Sequence, residues 1–182
     1  HVYKYLIKKK MMHLEYNYRN QMEGFRWWLE MMVMVIILYI ILWHLGYVDM
    51  EHWKLYLFCA FMPYFLMLTV PMLVLHIRYY LRNRGQVIDI LDDRLILTKQ
   101  NGERKEYLFS EIDEVVLHRS RAMEPGGGYA MSPIDRYSYL KLEFKDFDEL
   151  PVYITCFMHP DLDKVTMELK GVGMSIRRNV FL

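Results

Sequence analysis

Three side chains in the C-terminal half have the chemistry of metal ligands: His118, Cys156 and His159. Cys156 and His159 have ligand-like spacing, but a zinc site requires a third protein ligand in a defined geometry. His118 lies far upstream and the spacing occurs once, so no metal is expected and Cys156 reads as a small buried hydrophobe. Glu30 stands at one edge of a long apolar run, where a carboxylate is a functional-site candidate by default. Arg26, four residues earlier, offers it an ion pair, and that structural role is the expected one. Gly126–Gly128 is not followed by Lys-Ser/Thr and has no strand-to-helix context, so it reads as a loop and not as a phosphate cradle. No Ser/His/Asp or Cys/His constellation carries the local signature of a hydrolase. Catalytic, cofactor-binding and metal-ligating residues are therefore expected to be none.

The elements around these residues are of two kinds. The chain has 182 residues, 54% of them hydrophobic and 25% charged. A mean hydropathy of +0.01 averages two unlike parts. Residues 1–85 carry ten Lys/Arg against five Asp/Glu, and the remainder thirteen against seventeen. The first apolar run, Trp27–Tyr47, has no polar face from Met31 to Leu42 except the Tyr39 hydroxyl, and about 20 residues suffice for a helix to cross a bilayer. Trp27, Trp28, Trp43 and Tyr47 mark its ends as interfacial aromatics do. The second run, Trp53–Ile77, contains Pro63 and Pro71, which a spanning helix tolerates; Thr69, between them, is expected to cap a kink. Only a few residues separate the runs, so an antiparallel hairpin is expected.

Lys8, Lys9, Lys10, Arg19 and Arg26 precede the hairpin, and Arg78, Arg82 and Arg84 follow it. The connecting loop offers Lys54 alone. By the positive-inside rule both termini are expected in the cytoplasm. Lys8–Lys10 and Arg78, Arg82 and Arg84 would also attract anionic lipid headgroups. Tyr3, Tyr5, Tyr16 and Tyr18 interleave the N-terminal charges, which fits an interfacial amphipathic helix and not nucleic-acid binding. Residues 1–26 are accordingly read as an N-terminal interfacial segment, 27–85 as the hairpin and 86–182 as a separate soluble domain. Met11 and Met12 are alternative starts that would make residues 1–10 upstream sequence.

After Gly85 the pattern becomes short strands with turn signals. Gln86–Thr98 reads as a strand pair, Asn101-Gly102 as a hairpin turn, and "YLFSEIDEVVLHR" as a strand exit and a further strand. Residues 122–135 are too rich in Gly and Pro for a regular element and read as a long loop, with Tyr129 and Met131 as partner contacts. "YSYLKLEF" alternates, with Tyr137, Tyr139, Lys141 and Glu143 on one face and Leu140, Leu142 and Phe144 on the other. Asp161–Lys170 reads as a closing helix with Leu162, Val165 and Leu169 as its apolar stripe.

About six antiparallel strands followed by one helix resemble a pleckstrin-homology-like barrel. Joined to a two-span hairpin, the chain resembles the bacterial PH-like (YcxB-like) membrane proteins. The resemblance implies an α+β membrane protein: a two-helix transmembrane hairpin plus a cytoplasmic PH-like antiparallel β-barrel or sandwich with a C-terminal helix. It departs from lipid-binding PH domains, because Asp92, Asp93 and Glu103 offset Arg104 and Lys105 around the first hairpin. The expected role is non-enzymatic binding in a bacterial inner membrane, with a membrane-protein partner or a second copy covering Met31 and Met34. An immunity protein against a membrane-acting toxin is the alternative of the same class. An enzyme using Glu30, or His118 and His159, in an unrecognised site is the contrasting one.

Overall fold

In the computed structural model the described residues are 12–48, 51–124, 126, 127, 129 and 132–182, with side chains at all of these except 60, 64 and 133. Among the described residues the first element is a four-residue strand, β1 (Met12–Glu15); the charged and aromatic positions before it lie outside the described residues. Strand β1 runs antiparallel to β2 (Gln86–Ile90), with Leu14 opposite Ile88. Residues 12–15 thus belong to the β-domain, and the hairpin is an insertion between its first two strands. Both ends of the hairpin consequently emerge on the same side. Lys8, Lys9 and Lys10 lie outside the described residues.

Helix α1 (Tyr18–His44) opens on Asn17, whose side chain accepts from the Arg19 N–H, and none of its residues is buried. The returning helix comprises α2 (Trp53–Tyr64), a π-helical stretch (Phe65–Thr69) and α3 (Val70–Asn83). Pro63 and Pro71 each lack the N–H an α-helix needs, and the wider turn between them absorbs the mismatch. Thr69 does not cap the kink, since its side chain makes no cap hydrogen bond; its Oγ1 instead accepts from Trp28 Nε1 at 3.1 Å, joining the two helices. Tyr39 Oη donates to the Trp53 carbonyl at 3.2 Å near the other end. Both helices are long and apolar enough to cross a membrane, each with a window of mean hydropathy 2.0.

Beyond β2 come β3 (Arg94–Lys99) and β4 (Arg104–Leu108), which complete a sheet of order β1-β2-β3-β4. The turn between them is at Asn101-Gly102, where Gly102 adopts φ 83°. The second sheet has the order β7-β6-β5-β8, built from β5 (Ile112–Arg119), β6 (Ser138–Phe144), β7 (Val152–Thr155) and β8 (Gly173–Arg177). Its pairs are antiparallel except β5 with β8, which are parallel because α4 (Leu162–Glu168) carries the chain back between β7 and β8. Among the described residues the strand count is therefore eight and not about six, and a strand, not the helix, is the last element. Asp161 caps α4 by accepting from the Lys164 N–H.

The core lies between the sheets. Leu14, Ile88 and Leu95 meet Val115, Leu140 and Ile154, all buried, and Leu162 and Val165 of α4 close the open side. Burying side chains of this size gains roughly 1.5–3 kcal/mol each, which sets the register: a one-residue slip would turn each strand's apolar set to solvent. At the two ends of the 122–135 loop the described residues form short 3-10 turns, Arg121–Met123 and Pro133–Arg136. The first is tied to the end of β8 by a two-bond Arg178–Glu124 pair at 2.9 and 3.0 Å.

Candidate functional site at the junction of hairpin and sheet

The outer face of the second sheet is the face that sequence alternation assigns to Tyr137 and Tyr139, and at these two residues it too is buried. On α3, Met72, Leu75 and Tyr79 recur at helical spacing and are fully buried against Tyr137, Tyr139 and Phe157. The rings meet edge to face, Tyr79 on Tyr137 at 5.2 Å and 89°, the arrangement that aromatic quadrupoles prefer. Their hydroxyls are satisfied, since Tyr79 Oη donates to the Val180 carbonyl at 2.9 Å. One turn further, Asn83 Nδ2 donates to the Tyr79 carbonyl at 2.7 Å and to Thr155 Oγ1. Gln86 Nε2 donates to the Tyr153 carbonyl at 2.9 Å. Gly85, between α3 and β2, has φ 73°, and a Cβ there would lie 2.6 Å from Gln100. Only glycine turns this corner without strain.

Helix α1 reaches the same junction from the other side. The Asn17 N–H donates to the Phe157 carbonyl at 3.0 Å, and Tyr16 packs edge to face on Tyr80 at 5.6 Å. A chain of polar side chains threads the aromatic cluster. Tyr16 Oη donates to Gln21 Oε1, and Gln21 Nε2 donates to His76 Nε2 at 2.7 Å. That bond leaves the His76 proton on Nδ1, which donates to Tyr137 Oη at 2.9 Å. Tyr137 Oη is 2.9 Å from His76 and 3.5 Å from Met72 Sδ. Burial pushes the Tyr137 phenol far above its usual range, so it acts as a neutral hydrogen-bonding group.

Beside this cluster a cleft of about 310 Å³ separates the first turns of α1 from the β-domain. One wall is Glu23, Gly24, Trp27 and Glu30; the other holds Arg136, Cys156 and Pro160. Glu30 pairs with Arg26 at 2.9 Å, as the sequence spacing predicts, and both remain exposed. Glu23 and Arg136 carry opposite charges on opposing walls and have no ion pair among the described residues. Burial pushes the Cys156 thiol up to about 12, with the Glu23 carboxylate adding to the shift. A thiol so protonated is a poor nucleophile and a poor metal ligand.

The three metal-type residues are used separately. His118 Nδ1 donates to the Asn179 carbonyl at 3.0 Å, and its ring stacks on Tyr139 at 4.3 Å. His159 Nδ1 is bound to the backbone of Asp161. Among the described residues no three His, Cys, Asp or Glu side chains form a metal-binding group. The basic residues after the hairpin are exposed but engaged. Arg78 Nη1 donates to the Leu182 carbonyl at 2.7 Å, Arg82 lies over the Tyr153 ring at 4.0 Å, and Arg84 is 6.0 Å from the Tyr80 ring. Tyr129 is 96% exposed, and Met34 is exposed on α1, whereas Met31 is half-buried. Met131 lies outside the described residues. The junction itself escaped sequence reading, although Met72, Leu75, Tyr79 and Asn83 form one helical face at the end of the second run.

A family model described as a PH domain matches residues 3–160. The match spans β1, the inserted hairpin and both sheets up to β7, and it reaches upstream of the described strand. No curated protein matches the chain.

Proposed function

The chain belongs to the PH domain family, and from that premise we propose that it is a non-enzymatic membrane adaptor of the bacterial YcxB-like kind. In this reading the hairpin spans the inner membrane and holds the β-domain on the cytoplasmic face, where the protein acts as a scaffold, regulatory or accessory subunit for a membrane-protein partner. The observation that supports it best is the insertion of the hairpin between β1 and β2, with α3 buried on the second sheet. An anchor built into the domain at two strands and one sheet face sets its height and orientation above the bilayer. A flexible linker would set neither.

Charge supports the orientation. Arg19, Arg26, Arg78, Arg82 and Arg84 lie at the domain end of the helices, while the connecting loop has Lys54 beside Glu51. Exposure supports a binding role. Strand β6 starts at the junction and ends away from it, so the following turn presents Phe147, 100% exposed, and Leu150, 81% exposed, at the far end of the domain. Single exposed hydrophobics are ordinary, but two large ones on one turn suit a partner contact. Met34, exposed on α1, suits contact with a partner helix or a second copy.

A photo-crosslinking amino acid placed at Met34 or Phe147 in the full chain, in native membranes, tests this reading. The expected result is a discrete light-dependent adduct with a membrane protein or a second copy at one of these positions. A bare monomer in mild detergent and no adduct at either position would contradict it.

A further inference from the structure

The cleft between α1 and the β-domain has features that the adaptor reading does not use. We propose that it seats the headgroup of a phospholipid bearing both a phosphate and a primary ammonium, a phosphatidylethanolamine of the surrounding leaflet. The inference rests on the hairpin being in a membrane.

Three observations converge on that chemistry. The first is charge. Glu23 and Arg136 face the cleft from opposite walls without ion-pair partners among the described residues, and the Arg26–Glu30 pair at its rim adds one charge of each sign. A cleft so balanced repels a purely anionic headgroup at Glu23 and offers a dipolar one a mate for each end. The Arg136 guanidinium suits phosphate, and carboxylates suit an ammonium that can donate N–H bonds.

The second is position. Trp27 and Glu30 stand where α1 turns apolar, since Met31–Trp43 carries no charged side chain. Trp27 is half-buried in the cleft wall, at the depth where indoles mark the water–lipid boundary. The third is continuity. The helix face through Glu23, Trp27 and Glu30 runs on through Met34, Leu38 and Ile41, which are 66%, 56% and 49% exposed. An acyl chain attached to a headgroup in the cleft would lie along that stripe. A volume of about 310 Å³ suits a headgroup. Gly24 lines the cleft, and a Cβ there would sit in ordinary contact, 3.5 Å from Tyr137 Oη, so only a larger side chain would crowd it.

The full chain, purified in mild detergent with mixed micelles of phosphatidylethanolamine and phosphatidylcholine of matched acyl chains, is examined by native mass spectrometry. One phosphatidylethanolamine per chain is expected, preferred about tenfold over phosphatidylcholine, as one extra set of charge-assisted hydrogen bonds implies. Glu23→Gln and Arg136→Gln change exposed side chains and should each lower retention about tenfold with unchanged circular dichroism. Gly24→Leu fills the space without touching a charge and should abolish retention. Equal retention of the two lipids, or variants that retain lipid like the parent, would overturn the proposal. Displacement by millimolar glycerophosphoethanolamine would also overturn it, in favour of a soluble zwitterion. Alkaline extraction of membranes separates the two failures. A chain released into the supernatant defeats the membrane reading itself, whereas a retained chain without lipid preference defeats only the assignment of the cleft.

Discussion

His118 is a pH-sensitive side chain of the β-domain. Burial pushes its pKa below the usual value, the bond to Asn179 works in the opposite direction, and nearby Arg177 and Lys141 add to the lowering. Its Nε2 is buried without a partner, so protonation would place a second N–H where nothing accepts it. The unfolded chain takes up that proton first. The contribution is therefore complete above about pH 6.5 and is lost as pH falls through the lower native pKa. Thermal unfolding of the His118→Asn variant should show a flatter pH dependence below about pH 6.5, because asparagine keeps a donor near Nδ1 and does not titrate. Losing the stack on Tyr139 should cost about 1 kcal/mol at neutral pH. An unchanged acid slope would show that another group carries it. Arg119 illustrates a different use of burial. Its guanidinium is pinned to half-exposed Asp163 at 2.9 Å, which fastens α4 to β5.

Among the elements, α3 has two jobs: its first half continues an apolar helix, and its second half forms part of the wall of the β-domain. Leu75 is fully buried at that transition, packed in the cluster with Tyr79 and Phe157. Leu75→Ala should lower unfolding stability by about 2–5 kcal/mol, as a truncated core leucine does. Leu81→Ala, at a site 63% exposed on the same helix, should change it by less than about 0.5 kcal/mol. Equal effects in denaturant titration would mean that α3 does not dock on the sheet. Apolar run length and alternation made the two long helices, β2 to β7 and α4 legible in the sequence. Strands β1 and β8 were not. Strand β1 has four residues, and its partner in β2 lies beyond the whole hairpin, so no local pattern reveals the pairing. Strand β8 is largely exposed, which removes the contrast between faces on which strand recognition depends. The cleft was illegible for a related reason. Glu23, Gly24 and Trp27 meet Arg136 and Cys156 only through tertiary packing, whereas the Arg26–Glu30 pair was readable from helical spacing alone.

At the scale of the molecule, the hairpin is an insertion in a PH-family domain, and that insertion makes hairpin and domain one piece. Each end of the hairpin runs directly into a strand of the first sheet, so its two ends share one side of any bilayer it crosses. The loop after α1 must then face the opposite compartment. Labelling of single-cysteine variants in intact spheroplasts with a membrane-impermeant maleimide, in a background with Cys59 and Cys156 replaced, reads this directly. Tyr47, 73% exposed beside the hairpin loop, and Phe147, 100% exposed at the tip of the domain, are the positions to compare. The account predicts that Tyr47→Cys labels in intact spheroplasts and that Phe147→Cys labels only after the membrane is opened. Equal labelling of both positions before lysis, or recovery of the unlabelled chain in a detergent-free supernatant, would contradict it.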